Sequence, residues 1–361
     1  MGIRNCFSIV MVLLLLCLLP WTVLAEETEE TEITLQQAVD RALELSKSLK
    51  QSEINKEMAW EQRKDAQKEV SYTPTGMVDP DIESAYASLL QAELSYQMQS
   101  KDYKALQEDI KAEVVEKYCA VQSAEGSQQA AEAALENAKY QRNISNLKRQ
   151  FGLITDSEMG TANTDVQQQE AALKQAQSSL DTARFEFNVL VGYSADKRLR
   201  LVTDVAYAEL EVNSITAEVN RAIGTSVDVW QALQNITLEE QDLRMSQKSY
   251  EMEKLDIEIA ELQAEEAREN LEKSVRDMIT SVENLREDIA LAEVNLKKSE
   301  EALETAEKEL RIGVGIQADV KRAEAQLVSD RNSLVNLRSK LASLMASYNN
   351  LTGRQVLPVE T

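Results

Sequence analysis

LETAEKELRIGVGIQADV, residues 303–320, is the stretch that decides the fold. Leu303, Ala306 and Leu310 keep the three- and four-residue steps of an amphipathic helix. Ile312-Gly313-Val314-Gly315-Ile316 interrupts that spacing with two glycines, and helix-forming residues then resume. The stretch therefore reads as the tip of an antiparallel helical hairpin. A twin lies 161 positions earlier, where RNISNLKRQFGLITDSEM, residues 142–159, puts Phe151-Gly152-Leu153-Ile154-Thr155 at the same point.

The duplication extends outward from these tips. At the offset of 161, Ala131 falls on Ala292, Leu173 on Leu334, Leu180 on Leu341, Asn188 on Asn349, Leu190 on Leu351 and Gly192 on Gly353. Nearer the start the offset is 180, which sets Val39, Arg41 and Ala42 on Val219, Arg221 and Ala222. The first copy thus carries 180 − 161 = 19 extra residues, around Ser71 to Leu89, where Pro74, Gly76 and Pro80 mark a loop. Such a series in register is the signature of an internal repeat.

Within each copy the apolar positions form heptads. Leu285, Ile289, Ala292, Leu296, Ser299, Leu303, Ala306 and Leu310 are one run, and Leu334, Leu337, Leu341, Leu344, Tyr348 and Leu351 another. The second run is matched in the first copy by Leu173, Ala176, Leu180, Ala183, Phe187 and Leu190. Many small seam residues let helices approach closely. The other faces are Glu, Gln, Lys and Ser, which read as solvated helix surface. Thr34 caps a short helix through Ser46, and a second runs from Ser48 to about Val70. A long helix follows from about Asp81 to Gln150, weakly broken at Gly126, and a return helix spans Asp156 to Leu190. Gly192 and Gly353 stand where helices stop. Leu199 to Leu210 alternates like a short strand. In the second copy no Pro or Gly marks the upper turn, which alignment puts near Tyr250 to Leu255, with one continuous helix as the alternative.

The expected fold class is therefore all-α: two tandem repeats of long antiparallel coiled-coil hairpins, with a short strand-like belt between them. The expected units are residues 26–193 and 215–354, joined by a belt segment 194–214 and closed by a tail 355–361. Residues 1–25 have the layout of a signal peptide: Arg4, an apolar run to Leu19, then small residues ending at Ala25. A retained N-terminal anchor is the alternative to cleavage. Removal would leave Cys119 as the sole cysteine and, with 62 acidic and 39 − 1 = 38 basic residues, a net charge of −24. Nucleic acid would be repelled by such a chain.

No catalytic arrangement is visible, and the chain reads as not an enzyme. It contains no histidine, Cys119 sits among apolar helix neighbours, and no phosphate-cradling glycine motif is present. No metal or cofactor is expected.

Several landmarks together resemble the TolC-like outer-membrane efflux protein family. They are Ile33-Thr34-Leu35-Gln36-Gln37-Ala38, the two tips with Glu158 and Asp319 six residues beyond their first glycines, and the endings Phe187-Asn188-Val189-Leu190-Val191-Gly192 and Tyr348-Asn349-Asn350-Leu351-Thr352-Gly353. The resemblance spans nearly the whole chain after residue 25. It implies three protomers forming a hollow helical conduit for export, with partners in a periplasmic membrane-fusion adaptor and an inner-membrane transporter. It also implies that Gly152, Leu153, Ile154, Thr155, Gly313, Val314 and Gly315 are the turns that meet the adaptor. Asn188, Leu190 and Gly192, with Asn349, Leu351 and Gly353, are the repeat-end structural motif. Localisation follows as an exported protein of the cell envelope: periplasm or outer membrane where the source has one, otherwise the cell surface.

One departure is clear. The family inserts two barrel strands per repeat, and each membrane strand needs about 9–11 alternating residues. Ser71 to Asp81 has two prolines and no alternation, and the second copy has only helix-forming sequence there. No barrel is expected. The competing reading is a coiled-coil spacer or scaffold of the envelope with no conduit.

Overall fold

The computed structural model describes residues 31–70, 80–208, 210–245 and 249–358. The expected signal peptide, Cys6, Cys17 and the loop residues 71–79 lie outside them. Chain order is β1 (Thr31–Ile33), α1 (Leu35–Leu45), α2 (Lys47–Glu69), α3 (Pro80–Gln150), α4 (Asp156–Leu190), β2 (Leu199–Leu201), α5 (Ile215–Thr225), α6 (Val227–Met245), α7 (Tyr250–Arg311) and α8 (Gln317–Leu351). The 71 residues of α3 make a rod of about 107 Å at 1.5 Å per residue.

The repeat is visible in the element boundaries. Adding 161 carries the end of α3 to the end of α7 and both ends of α4 to those of α8; adding 180 carries α1 onto α5. Local chemistry sets several of these limits. Thr34 and Gln37 form a capping box ahead of α1, while Ser46, Ser214 and Ser249 each accept a backbone N–H at a helix start.

The long helices form a single layer. α3 packs against α4 in its lower half and against α1 and α2 above; its other side meets α8 below and α6 above. α7 then packs on α8 and α6. The layer therefore runs α4–α3–α8–α7, with α2 stacked beyond α4 and α6 beyond α8. Its two outer edges, α4 with α2 on one side and α7 on the other, have no neighbour helix beyond them among the described residues.

Apolar burial concentrates at mid-height, and it is the same set of positions used twice. Val39, Ala42, Leu49, Ile110, Val114, Tyr118, Val121 and Phe187 are buried in one cluster. Val219, Ala222, Val229, Leu271, Val275, Ile279, Val282 and Tyr348 are their equivalents in the other. A fully buried Val, Leu or Phe contributes roughly 1.5–3 kcal/mol. Each cluster therefore anchors its hairpin where the short helix, the long helix and the return helix converge. Towards the tips the seam thins to residues such as Ala292, Ser299 and Ala306, all buried.

Three expectations need correction. α3 is unbroken through Gly126, because that glycine serves packing: a Cβ there would stand 2.6 Å from Asn332 Oδ1 on α8. The upper turn of the second copy does not fall at Tyr250–Leu255. Helix α6 ends at Met245 and Tyr250 already opens α7 behind the Ser249 cap, so the continuous-helix alternative also fails. The strand expected over Leu199–Leu210 is reduced to Leu199–Leu201. Among the described residues its ladder partner is the three-residue β1, paired in parallel as Thr31 with Leu199 and Ile33 with Leu201. The rest of that segment is a strap held by side chains, with Tyr207 donating to the Val356 carbonyl at 2.6 Å and Arg286 to the Leu210 carbonyl at 3.3 Å.

Among the described residues no barrel closes at the upper end. Ten residues, 70–79, separate α2 from α3, and four, 246–249, separate α6 from α7. Two membrane strands of about 9–11 residues each fit in neither gap. Among the described residues no helix is long and apolar enough to cross a membrane.

Candidate functional site

Four glycines carry the positive φ angles of the described chain: Gly152 at 68°, Gly192 at 71°, Gly313 at 81° and Gly353 at 65°. All four end long helices in the same manner. Gly152 N–H donates to the Arg149 carbonyl and Leu153 N–H to that of Lys148, both at 2.9 Å. Gly313 and Val314 bond Leu310 and Glu309 in the same pattern, as do Gly192 with Tyr193 and Gly353 with Arg354. This double bond with a left-handed residue satisfies the last carbonyls of a helix and turns the chain sharply.

At the lower end these turns join α3 to α4 and α7 to α8. Residues 151–155 and 312–316 form the two tips. Phe151 and Leu153 are 76% and 72% exposed, and Ile312 and Val314 are 74% and 75% exposed. Large apolar side chains this open are normally withdrawn from water, so each tip offers a small apolar contact surface on a fixed turn. Gly152, Thr155 and Gly313 of the sequence-derived set also lie on the surface, while Ile154 and Gly315 are half-buried. Phe151 and Ile312, absent from that set, are among the most open residues of the tips. The repeat register, which pairs them at 161, was the signal available for them.

The two tips differ in how the helix that follows them is capped. In the first, Thr155 and Glu158 form a capping box, and Arg149 pairs with Asp156 at 2.9 Å across the turn. The backbone N–H and hydroxyl of Thr155 hold the Glu158 carboxyl below its usual range. Ile154 and the buried Met159 occupy the spacing of a hydrophobic staple around that cap. In the second, Ile316 starts α8 with no side-chain cap. Gly315 there donates to the Glu309 carbonyl at 3.0 Å, and a Cβ on it would lie 2.9 Å from Glu309 Cβ and from Leu310 N.

The other two turns sit at the mid-height belt. Asn188 Nδ2 donates to the carbonyls of Ser194, Ala195 and Lys197 at 3.2, 3.1 and 2.7 Å. Asn349 Nδ2 donates to that of Gln355 at 3.0 Å. Each asparagine is buried and folds the segment after its helix back onto it. Leu190 and Leu351 are half-buried beside the two clusters. In the second repeat the belt also holds a charged group. The Glu218 carboxylate accepts from Tyr348 Oη at 2.9 Å and Arg354 Nη2 at 2.6 Å. Burial works to raise its pKa, but those two hydrogen bonds and the charges of Arg354 and Arg221 outweigh it and hold the carboxyl below its usual range.

Elsewhere the chemistry is quiet. Burial pushes the Cys119 thiol up to about 12, with Ser343 opposing and Asp204 adding to the effect. Among the described residues no group of three acidic, Cys or His side chains could hold a metal ion. A surface of turns and exposed apolar side chains can bind protein.

The family model described as outer membrane efflux protein matches residues 211–354. The one described as RND MFP, alpha-helical hairpin domain, matches residues 120–188, which is the lower hairpin of the first repeat. No curated protein sequence matches the chain. Among solved structures, the outer membrane protein VceC of Vibrio cholerae superposes with a TM-score of 0.63 at 17% identity, over 89% of this chain and 96% of that one. The open-state MtrE outer membrane channel of Neisseria gonorrhoeae gives 0.64 at 15% identity, over 91% of each chain. The outer-membrane channel OprN gives 0.67 at 14% identity, over 90% and 91%. At such identities the shared property is the fold, and that fold is TolC-like.

Proposed function

We propose that this TolC-like chain is the helical body of an export conduit, assembled from several copies in the cell envelope and docked through its tips onto a periplasmic adaptor. The observation that carries the reading is the open-edged layer. Along one edge, α7 exposes Leu255, Ile259, Leu262, Leu291 and Val294. Along the other, α2 exposes Ile54 and Met58, and α4 exposes Phe185 and Val189. Two unlike apolar edges on one protomer make a head-to-tail contact, which closes into a ring when the rotation per copy divides a full turn. Three copies is the number that the resemblance to TolC-like proteins implies.

In this reading Gly152, Leu153, Ile154, Thr155, Gly313, Val314 and Gly315 present the docking tips. Asn188, Leu190, Gly192 and their equivalents Asn349, Leu351 and Gly353 hold the upper and lower storeys together at the belt. The adaptor connects the conduit to an inner-membrane transporter, and the chain itself carries no catalysis. Residues 1–25 direct export and are removed. With no barrel among its described residues, the body is proposed to reach an outer membrane through another component.

The runner-up is a coiled-coil spacer, supported by the missing barrel strands. Assembly state separates the two. Light scattering of the chain beginning at Glu26, after size exclusion, should give a discrete trimer. A monomer at every concentration would eliminate the conduit and leave the spacer.

A further inference from the structure

From Asn137 to Thr155 the chain has four basic residues, Lys139, Arg142, Lys148 and Arg149, and no acidic one. That is unusual in a protein with 62 acidic and 39 basic residues. The equivalent window of the second copy, 298–316, has three basic and five acidic residues. Basic side chains near a helix C-terminus are favoured by the helix dipole. The second copy meets that preference with Lys308 and Arg311 while keeping its acids, so the dipole does not explain their loss from the first.

Nearby carboxylates leave part of this charge unmatched. Lys139 is met by Glu170 at 3.7 Å and Arg149 by Asp156 at 2.9 Å, while Glu158 is turned onto Thr155. Among the described residues Arg142 and Lys148 have no acidic partner. Lys148 is exposed beside exposed Leu147 and Phe151. Apolar side chains and uncompensated positive charge thus share one surface.

Resting on the docking reading above, we infer that the first-repeat tip recognises an acidic tip on the partner's helical hairpin, and that the second tip supplies apolar contact without charge selection. Two first-repeat tips facing each other would repel, so this surface is not built for a symmetric contact between copies. Complementary charge at an interface rim mainly raises the association rate and excludes wrong partners, and it weakens with salt.

The test uses the assembled chain and three synthetic single-chain helical hairpins, alike except for tip loops of Glu-Glu, Ser-Ser or Lys-Lys. Binding is measured by fluorescence anisotropy at low and high salt, about 50 and 500 mM. The Glu-tipped hairpin should bind about tenfold tighter than the Ser-tipped one at low salt and converge with it at high salt. Lys148→Glu, alone and with Arg142→Gln, should abolish that preference; Lys308→Glu with Arg311→Glu should not. Circular dichroism checks that each variant is folded. Equal binding of the Glu and Ser tips at both salts overturns the inference and leaves docking intact. Failure of all three hairpins to bind removes docking and the inference together. Binding to phosphatidylglycerol vesicles in place of every hairpin, lost in Lys148→Glu, would also overturn it by showing that the tip reads lipid.

Discussion

Gly192 and Leu45 are packed so closely that a Cβ on the glycine would overlap Leu45 Cδ1. Gly353 stands in the same relation to Thr225 Cγ2, and these residues are Gly192 and Leu45 moved by 161 and 180. In each repeat the end of the return helix is seated on the end of the short helix. This contact joins the two storeys of a hairpin.

Replacement of these glycines by alanine should therefore be graded. Gly152→Ala meets only the left-handed backbone penalty, since nothing lies within 4 Å of a Cβ there, and should cost about 1 kcal/mol. Gly192→Ala and Gly353→Ala add a steric overlap and should cost about 2–4 kcal/mol each. Denaturant unfolding monitored by circular dichroism measures the order; equal losses at all three sites would contradict the packing described.

Glu218 supplies a pH dependence of defined sign. Its folded pKa is depressed, so its stabilisation is complete above the unfolded carboxyl value of about 4.3 and is lost as pH falls through the lower folded value. Glu218→Gln should be about 1–3 kcal/mol less stable than the parent at neutral pH. The gap should narrow as the pH drops below about 4. A gap that widens on acidification would show that the carboxyl is raised.

Cys119 should be inert in the folded protein. With burial pushing its thiol up to about 12, a thiol-reactive dye at about pH 8 should label the chain only after denaturation. Rapid labelling under native conditions would mean that the core between α3 and the strap opens.

The open edge of α7 predicts an assembly mutant that leaves the protomer intact. Leu291→Glu and Leu262→Glu place charge on exposed positions, so helicity and protomer stability should change by less than about 0.5 kcal/mol. The mass in solution should fall from trimer to monomer. A trimer that survives both changes would show that α7 is not the seam.

The tips should separate function from stability. Phe151→Ser and Val314→Ser touch side chains already open to water, so melting should be unchanged. Export assayed in cells, or hairpin binding in solution, should be lost in the double variant. Retained activity would remove the tips from the docking surface.

Much of this architecture could be read from residues because its signals are local. Heptad spacing fixes which helix face is apolar, and a glycine after the last apolar position fixes where each helix stops. Duplication at 161 then sets both tips in register, and α4 and α8 fall at Asp156–Leu190 and Gln317–Leu351 accordingly. Signals that depend on a distant partner were not legible. Gly126 looks like a helix break until Asn332 is brought against it. The alternation after Leu199 looks like a long strand until its ladder partner proves to be three residues. The turn before Tyr250 has no Pro or Gly, so the chain alone placed it a few residues late. Above all, an apolar stripe states that a helix must be covered and does not state by what. Only the tertiary structure decided that α3 joins the two repeats by packing on α8, leaving α7 and the α4–α2 edge uncovered, because coiled-coil seams of Ala, Leu and Ser are chemically alike and are told apart only by the geometry that brings them together.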